Sequence, residues 1–411
     1  MKLPQFLHLS FLTLIASQIL AETAPPAHSR FQVAVLAEAF DRPVGMDLAA
    51  DGRVFLIELA GRVLIVDPAT GTQGEAGKLD VFADQENGLI GIALDPHFAE
   101  NRWIYLQYSP VDYVGQHISR FTLADGKLDL ASEKVILKWE TQRRECCHHA
   151  GMLLFGPDAC LYASAGDNTH PFGDSQSYAP LDRRPGREPW NAEKSAGNPN
   201  DLRGGIIRIR PMPDGSYEIP EGNLFPPGTP GTRPEIYVMG CRNPWKMSID
   251  PATGFLYWGE VGPDAGGDGP RGPRGYDEIN QARKAGFFGW PYFIADNQAY
   301  AAVDFASGEV GAKFDPAKPI NDSPLNTGRK DLPPAQPAFI YWPYGASEKF
   351  PELGTGGRTA CAGPVFHYQE SFEESGGLPP FYDNCLLFWD WQRPFIKWAR
   401  LDPDSNFAGF E

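Results

Sequence analysis

The chain has 411 residues and a formal net charge of -16, and so acidic a balance excludes a nucleic-acid partner, because phosphate backbones bind to a basic face. Its 44 glycines and 39 prolines are many for a globular protein, yet 10 tryptophans, 15 tyrosines and 26 phenylalanines supply ample apolar mass for a core. The combination excludes disorder and is typical of short strands joined by tight turns.

The N-terminus has the layout of a secretory signal peptide over residues 1–21. Lys2 supplies a positive charge, a mostly apolar stretch runs from Phe6 to Leu20, and Ala21 precedes the polar Glu22. The stretch is too short and too mixed for a stable membrane span. The sequence therefore predicts a secreted or periplasmic protein without an integral membrane span, and an uncleaved anchor is the alternative.

A strand-turn-strand unit recurs along the chain, with Asp, Gly or Pro between two runs of β-branched or aromatic residues, which is a hairpin signal. The second strand of each unit contains an aromatic residue: Phe55, Tyr105, Tyr162 and Tyr257. Third strands are predicted at 61–66, 118–121 and 205–209. A fifth, weaker unit follows at 385–401, and residues 276–285 support at most a short helical turn.

Radial blades hide their strand edges by closing into a ring, so the repeat predicts an all-β β-propeller over residues 31–411. Five blades are evident in the sequence. Because a ring must close, two alternatives remain for the rest. Either N-terminal strands around Phe31 to Leu36 complete it, or the chain is truncated at its C-terminus. A β-sandwich with long loops is the competing architecture.

The segment Cys146-Cys147-His148-His149 resembles a metal cluster at first sight. Adjacent side chains on a strand point to opposite faces and no second ligand cluster follows, so zinc is not favoured. Six cysteines in an oxidising compartment allow disulfides. A bridge between neighbours Cys146 and Cys147 would close a strained ring, and it is not favoured either.

His148 stands before one blade strand, and Asp167 ends the next. We expect the two side chains to converge at the propeller axis, where inner strands and loops place ligands. A histidine beside a carboxylate is a general-base pair, since the acid fixes the tautomer and raises the basicity. Arg242 is predicted one blade further on, where a guanidinium suits an anionic cofactor or a developing oxyanion.

Residues 259–264 and 277–280 are rich in oxygen atoms and in glycine, and such segments suit calcium, although their spacing is not that of an EF-hand.

Taken together, the chain from Arg42 to about Asp402 resembles the soluble quinoprotein glucose/sorbosone dehydrogenase family. The matching segments occur in one order: 87–93 with 95–98, 148–151, 156–158, 165–167, 242–244, 262–263, 277–280 and 286–291. The resemblance implies a six-bladed propeller that oxidises sugars with pyrroloquinoline quinone (PQQ) and calcium. The sixth blade would then be missing or incomplete in this chain.

The resemblance also implies roles for catalytic residues. His148, three residues before Gly151, would take the proton from the substrate hydroxyl, and Asp167 would orient it. Arg242 would contact the quinone oxygen. Gly262 and Pro263 would offer carbonyls to a calcium ion that polarises the quinone.

Further residues are implied at the cofactor and the metal. Asn243 would line the cofactor site, and Arg393 with Lys397 would hold the cofactor's carboxylates. Asp264 and Asp277 would add metal ligands. Glu86 stands at the cofactor site where the family carries a neutral glutamine, which adds negative charge near an anionic cofactor.

The implied reaction is oxidation of an aldose or a related sugar or polyol, at its anomeric or alcohol carbon, with electrons passed to an external acceptor of cytochrome or quinone type. Two alternatives stay open. A propeller could retain the fold as a binding or scaffold module, or it could be a calcium-dependent lactonase. A lactonase needs several carboxylates around one metal, whereas this sequence offers His148, Arg242 and a Gly-Pro pair.

Overall fold

The computed structural model of the protein describes residues 25–27, 29 and 31–411, so the predicted signal peptide lies outside the described residues. The described chain consists of two compact units. The larger comprises residues 36–363 and 389–395, and the smaller comprises the residues up to 35 together with 364–388 and 396–411. All residues of the candidate site described below belong to the larger unit.

The first two sheets are four-stranded antiparallel meanders, in which each strand pairs with its neighbour in sequence. The strands of the first sheet are Pro43–Leu48, Val54–Glu58, Arg62–Asp67 and Thr72–Lys78. Those of the second are Leu89–Leu94, Trp103–Tyr108, Gly115–Ala124 and Lys127–Glu140. Such meanders are the blades that the sequence predicts.

The third and fourth sheets follow the same plan with longer connections. The third runs Leu153–Phe155, Leu161–Ala165, Gly205–Pro211 and Ile236–Met239, with Gly286–Phe287 parallel to the last strand and Tyr217–Glu218 added beside Gly205–Pro211. The fourth runs Pro244–Ile249, Leu256–Glu260, Asp277–Ala282 and Ile340–Trp342. The loops leaving these sheets carry the candidate site.

The remaining elements of the described residues are a fifth sheet, two ribbons and six short helices. The fifth sheet consists of Ala360–Phe366, Cys385–Asp390, Phe395–Leu401 and Phe407–Phe410. The ribbons pair Phe293–Ile294 with Gln298–Ala299, and Ala301–Val303 with Val310–Lys313. The helices are Phe98–Asn101, Glu188–Trp190, Ala192–Lys194, Pro351–Leu353, Ser371–Ser375 and Pro380–Tyr382.

The four recurring aromatic residues lie in the second strands of the first four sheets, as predicted, and at most 5% of each is exposed. An aspartate precedes two of these aromatic residues, Tyr105 and Tyr162, and its presence there has a physical reason. Tyr105 donates its hydroxyl hydrogen to Asp95, and Tyr162 donates to Asp158, both at 3.2 Å. A tyrosine brings apolar mass into a core only if its hydroxyl finds an acceptor, so the aspartate and the aromatic residue recur together.

Two expectations are corrected. Residues 31–40 form no strand, so the N-terminal segment around Phe31 to Leu36 does not supply part of a further blade. The segment 276–285, expected to be a helical turn at most, contains the strand Asp277–Ala282, whose residues are nearly all buried. Its pairing on both sides, with Leu256–Glu260 and Ile340–Trp342, overrides its weak local preference.

Replacing Phe55 tests the first blade. The side chain is fully buried, and its ring lies edge-on to Phe98 with the centroids 5.2 Å apart. We expect Phe55→Ala to lower the free energy of unfolding by about 3–5 kcal/mol, because it removes buried apolar surface and leaves a cavity. Urea unfolding measures the change, and Val111→Ala at an exposed position is the control. A loss equal to that of the control would contradict this packing.

Candidate active site

His148 and Asp167 meet as predicted. His148 lies in the loop between the second and third sheets, and Asp167 follows the strand Leu161–Ala165. The His148 Nδ1 atom is 2.8 Å from Asp167 Oδ1, and the side chains are 4% and 0% exposed. Gly166 allows this approach, because a Cβ atom there would lie 2.1 Å from the carbonyl oxygen of His148. The fold therefore joins the two groups into a buried dyad.

Asp167 is held by more than the histidine. Its Oδ1 accepts hydrogen bonds from the amide and the hydroxyl of Thr169, at 2.9 and 2.7 Å, and its Oδ2 accepts one from the Trp290 indole at 2.7 Å. Burial alone would raise the pKa of Asp167, but His148, Arg242 and Thr169 outweigh it and hold the pKa below its usual value. The carboxylate is therefore charged, and it fixes the imidazole with Nδ1–H facing it.

His149 has a different environment. Its Nδ1 is 3.1 Å from the side-chain nitrogen of Gln116, and its Nε2 is 3.4 Å from that of Asn168. Burial lowers the pKa of His149 to about 4. A neutral ring engaged by amides on both sides has a structural role, which favours His148 over its neighbour as the reactive histidine.

The loop that carries His148 contains a disulfide between the adjacent residues Cys146 and Cys147. This corrects the expectation that the pair would not bridge. The backbone here is left-handed, with positive φ at Cys147 (100°), His148 (60°) and Ala150 (52°). A strained backbone next to a reactive group is typical of functional loops. The sequence could not reveal the bridge, because the backbone conformation that permits it is set by the surrounding contacts.

Arg242 and Asn243 enter the site at the start of the fourth sheet. The carbonyl oxygen of Arg242 accepts the Asp167 amide at 2.8 Å, and the Asn243 Oδ1 accepts the Ala150 amide at 2.9 Å. Both residues therefore hold the two halves of the dyad in place. The Arg242 guanidinium donates to the carbonyl of Val261 at 2.8 Å and lies 3.7 Å from Asp264.

Glu260 positions this pair. It is 4% exposed, and its Oε1 accepts the backbone amides of Arg242 and Asn243, at 2.8 and 2.5 Å. Glu260 falls within the segment 259–264, which its composition suits to calcium, and its role in positioning Arg242 and Asn243 was not predicted. No local motif marks it, because its partners lie 17 and 18 residues upstream and are brought close by pairing of the first two strands of the fourth sheet.

Three of the four predicted metal ligands, Pro263, Asp264 and Asp277, are engaged by other groups of the protein. Both carboxylate oxygens of Asp277 are occupied, since Oδ1 accepts the Gly262 amide at 3.1 Å and Oδ2 accepts the Ala360 amide at 2.9 Å. The carbonyl of Pro263 accepts a hydrogen bond from Arg358 at 2.7 Å. Asp264 accepts the hydroxyl of Tyr344 at 2.6 Å. Asp277 is therefore a structural residue, and Pro263 already contacts a cation.

Arg358 was not predicted as a residue of this region. Its side chain is 1% exposed, its NH1 lies 3.3 Å from Asp277, and its NH2 lies 3.9 Å from Asp264. Its guanidinium carbon lies 3.9 Å from the ring centroid of Tyr344. Burial raises the pKa of Asp277 to about 6, and Arg358 works in the opposite direction. The only sequence signal was a lone arginine in a glycine-rich turn, which is too weak to interpret.

Arg393 differs from its predicted role. All three guanidinium nitrogens of Arg393 donate to main-chain carbonyls, among them those of Pro343, Leu353 and Gly357. A guanidinium so engaged braces the 343–357 loop and has no donor left for a cofactor carboxylate. Lys397 lies on the strand Phe395–Leu401, in the smaller unit, and its role at the cofactor stays a prediction.

A cavity of about 360 Å³ lies beside the dyad loop. It is lined by Val44, Leu59, Gln85, Glu86, Ile90, Ala150, Asn243, Trp245, Val261, Thr359 and Trp391. Glu86 and Asn243 therefore line a cavity beside the loop that carries His148, and their role at a cofactor stays a prediction. The Glu86 carboxylate accepts the backbone amide of His149 at 3.2 Å, which ties the cavity wall to the dyad loop.

Comparison with known proteins identifies the family. The profile of the Glucose / Sorbosone dehydrogenase family matches residues 40–332, which is more than half of the chain. The chain therefore belongs to the glucose/sorbosone dehydrogenase family. The resemblance drawn from short segments is thereby confirmed.

Individual relatives agree with this assignment. Quinoprotein glucose dehydrogenase B of Acinetobacter calcoaceticus is 25% identical over 409 residues, which cover 93% of this chain and 80% of the relative. Aldose sugar dehydrogenase YliI of Escherichia coli is 26% identical over 315 residues, covering 74% and 73%. The PQQ-bound aldose sugar dehydrogenase of Streptomyces coelicolor has a TM-score of 0.57 at 18% identity, covering 92% and 83%. With five sheets of blade type, this structural likeness confirms the β-propeller class.

No helix among residues 25–27, 29 and 31–411 is long and apolar enough to cross a membrane.

The pH dependence of stability tests the Glu260 contact. Burial raises the pKa of Glu260 to about 8, so the native protein holds this proton more tightly than the unfolded chain does. The stability from this preference is complete below the pKa of the unfolded state and is lost as the pH rises towards about 8. Between about pH 5 and about pH 9, we expect Glu260→Gln to lose less thermal stability than the wild type. Glu100→Gln, at an exposed position, should follow the wild type, and parallel pH curves for all three proteins would contradict the assignment.

Thiol counting tests the disulfide. Cys160, Cys241, Cys361 and Cys385 are free and buried. Alkylation of the denatured, unreduced protein should add four groups, since four cysteines are free, and reduction first should raise the number to six. Peptide mass spectrometry then assigns the bridge. Six alkylated cysteines without a reductant would show that residues 146 and 147 are not bonded.

Proposed function

We propose that this protein is a PQQ-dependent dehydrogenase of an aldose or a related sugar or polyol, with His148 as the general base. The observation that carries the proposal is the buried His148–Asp167 dyad, 2.8 Å between Nδ1 and Oδ1, in a chain of this family. Relatives named as glucose and aldose sugar dehydrogenases support the substrate class. The cofactor is proposed because one relative is named a quinoprotein and one similar structure is described as PQQ-bound.

The residues present fit an anionic, planar quinone. Trp245 and Trp391 line the cavity and offer flat apolar surfaces, and Asn243 and Thr359 offer polar groups. The guanidinium of Arg242, 5% exposed, supplies positive charge near Asn243. Glu86 opposes an anion, and its hydrogen bond with the His149 amide offsets part of that charge.

His148 would act through Nε2. Because Asp167 accepts the hydrogen on Nδ1, the lone pair of the neutral ring lies on Nε2, which can take the proton of a substrate hydroxyl. The negative charge of Asp167 then stabilises the imidazolium that forms. The bound quinone supplies the two-electron chemistry by accepting hydride from the carbon that carries the hydroxyl. The proposal includes an external electron acceptor of cytochrome or quinone type.

A calcium ion, which the family resemblance implies, fits these residues poorly. Calcium takes six to eight oxygen ligands, whereas Pro263 and Asp264 are already bonded to Arg358 and Tyr344, and Asp277 is occupied by backbone amides. The proposed roles of this chain's residues therefore include none at a metal ion. Export through the N-terminal signal remains part of the proposal.

The alternatives find less support. Among the described residues, no three His, Cys, Asp or Glu side chains are grouped as a metal would require, which disfavours both the lactonase and a zinc site. A scaffold role would not explain why His148 is held in a left-handed backbone with its ring bonded to a buried carboxylate. Such an arrangement costs conformational energy and is typical of reactive sites.

Substitution of His148 tests the proposal. We expect PQQ-reconstituted wild type to reduce a dye acceptor with at least one aldose. His148→Gln should lose about 100-fold or more of the turnover, because general-base catalysis contributes that much, while its cofactor absorbance is retained. His149→Gln is the matched control and should keep more activity, because its ring lies between amides.

Asp167→Asn should also lower turnover, because an amide can favour the wrong tautomer of His148. A cofactor absorbance without dye reduction for any aldose would contradict the proposed substrate class. Turnover in His148→Gln equal to that of wild type would contradict the proposed base.

A further inference from the structure

Arg358 lies at the position where the resemblance expects a metal ion. Its NH2 donates to the Pro263 carbonyl at 2.7 Å and lies 3.9 Å from the Asp264 carboxylate, and its NH1 lies 3.3 Å from Asp277. Three of the four predicted calcium ligands therefore surround one guanidinium. The residues that the family resemblance implies as calcium ligands are thus arranged around the cationic side chain of Arg358.

The local packing keeps the guanidinium in place. A Cβ atom on Gly275 would lie 1.6 Å from the Pro263 oxygen and 3.0 Å from the Arg358 NH2. The carbonyl therefore faces Gly275 and Arg358. The ring of Tyr344, 3.9 Å from the guanidinium carbon, covers its face and bonds to Asp264 through its hydroxyl. Rotation of Arg358 away from this loop would require several neighbours to move.

The charges around the loop also disfavour a divalent cation. Arg242 and Arg358 both lie within 4 Å of Asp264, at 3.7 and 3.9 Å. A calcium ion bound to the Pro263 oxygen would stand beside a guanidinium bonded to the same atom, and like charges at such a distance repel strongly in a buried site. The same two guanidinium groups favour an anion.

We propose that Arg358 supplies the positive charge that calcium supplies by the family resemblance, so that this protein binds its quinone cofactor without calcium. The inference rests on the proposed function for the identity of the cofactor. Arginine suits the role, because its charge is permanent and its planar fork carries several donors. Within the described residues, the buried Nε and NH1 atoms have no hydrogen-bond partner, so the guanidinium retains donor capacity.

Calcium titration of the purified apoprotein tests the inference without the cofactor. Calorimetry should detect no calcium binding to the wild type in the micromolar range. Arg358→Gln frees the Pro263 oxygen, Asp264 and Asp277 from the cation, and it should bind calcium about tenfold more tightly than wild type or better. Arg53→Gln, in which an arginine paired with Asp51 in the turn between the first two strands loses its charge, is the control and should behave as wild type.

Absorbance titration with PQQ tests whether the cofactor binds without calcium. It is carried out once in a solution with a calcium chelator and once in excess calcium. The wild type should bind PQQ with the same affinity in both solutions. Arg358→Gln should bind about tenfold more weakly in chelator and recover in calcium. Arg358→Lys keeps the charge and should retain most of the affinity in chelator. Thermal unfolding of each variant shows whether it is folded.

The outcomes separate the two proposals. Micromolar calcium binding by the wild-type apoprotein, or PQQ affinity that falls about tenfold in chelator, would overturn the role of Arg358 and leave the proposed function standing. Unchanged calcium and PQQ binding in folded Arg358→Gln would also overturn it. PQQ that binds to none of the proteins in either solution would overturn the proposed function and, with it, the cofactor half of the inference, while the calcium titration still decides what occupies the loop.

Discussion

The buried carboxylate of Asp167 is the constraint on which the site depends. It bonds to His148 from the preceding loop, to Thr169 beside it and to Trp290 from a distant loop, and its backbone amide bonds to the Arg242 carbonyl. A buried charge that lost these partners would be costly. The fold therefore holds segments from two blades and two long loops around one charged group.

The second centre of charge is the loop at Gly262. Asp277 fixes the loop by accepting a hydrogen bond from the Gly262 amide. The NH1 atom of Arg358 lies 3.3 Å from the Asp277 carboxylate. Glu260 fixes the adjoining strand by accepting the amides of Arg242 and Asn243. Acidic side chains in this region thus bind backbone amides and arginines. The carboxylate oxygens therefore face amides and guanidinium groups, whereas in a metal site the same oxygens would face the ion.

The repeat shows why the blades were visible in the sequence. Each blade brings a buried aromatic residue into its second strand, and Tyr105 and Tyr162 need a nearby aspartate for their hydroxyls. Turn residues separate the strands at short range, so strand order and pairing follow from local signals. The strand Asp277–Ala282 was missed, because it is held by long-range pairing on both sides rather than by its own β-propensity.

The sequence by itself determined the all-β class, the first four blades and the pairing of His148 with Asp167, because these rest on short-range patterns and on segments shared with the family. Only the tertiary structure decided which charged groups face each other. Whether Asp277 meets a metal or an amide, whether Arg393 meets a cofactor or carbonyls, and whether Cys146 bonds to Cys147 depend on distances between segments far apart in the chain. Arg358 is the clearest case. As a residue in a glycine-rich turn it carries no signal, and it becomes central only because folding places its guanidinium against Pro263 and Asp277.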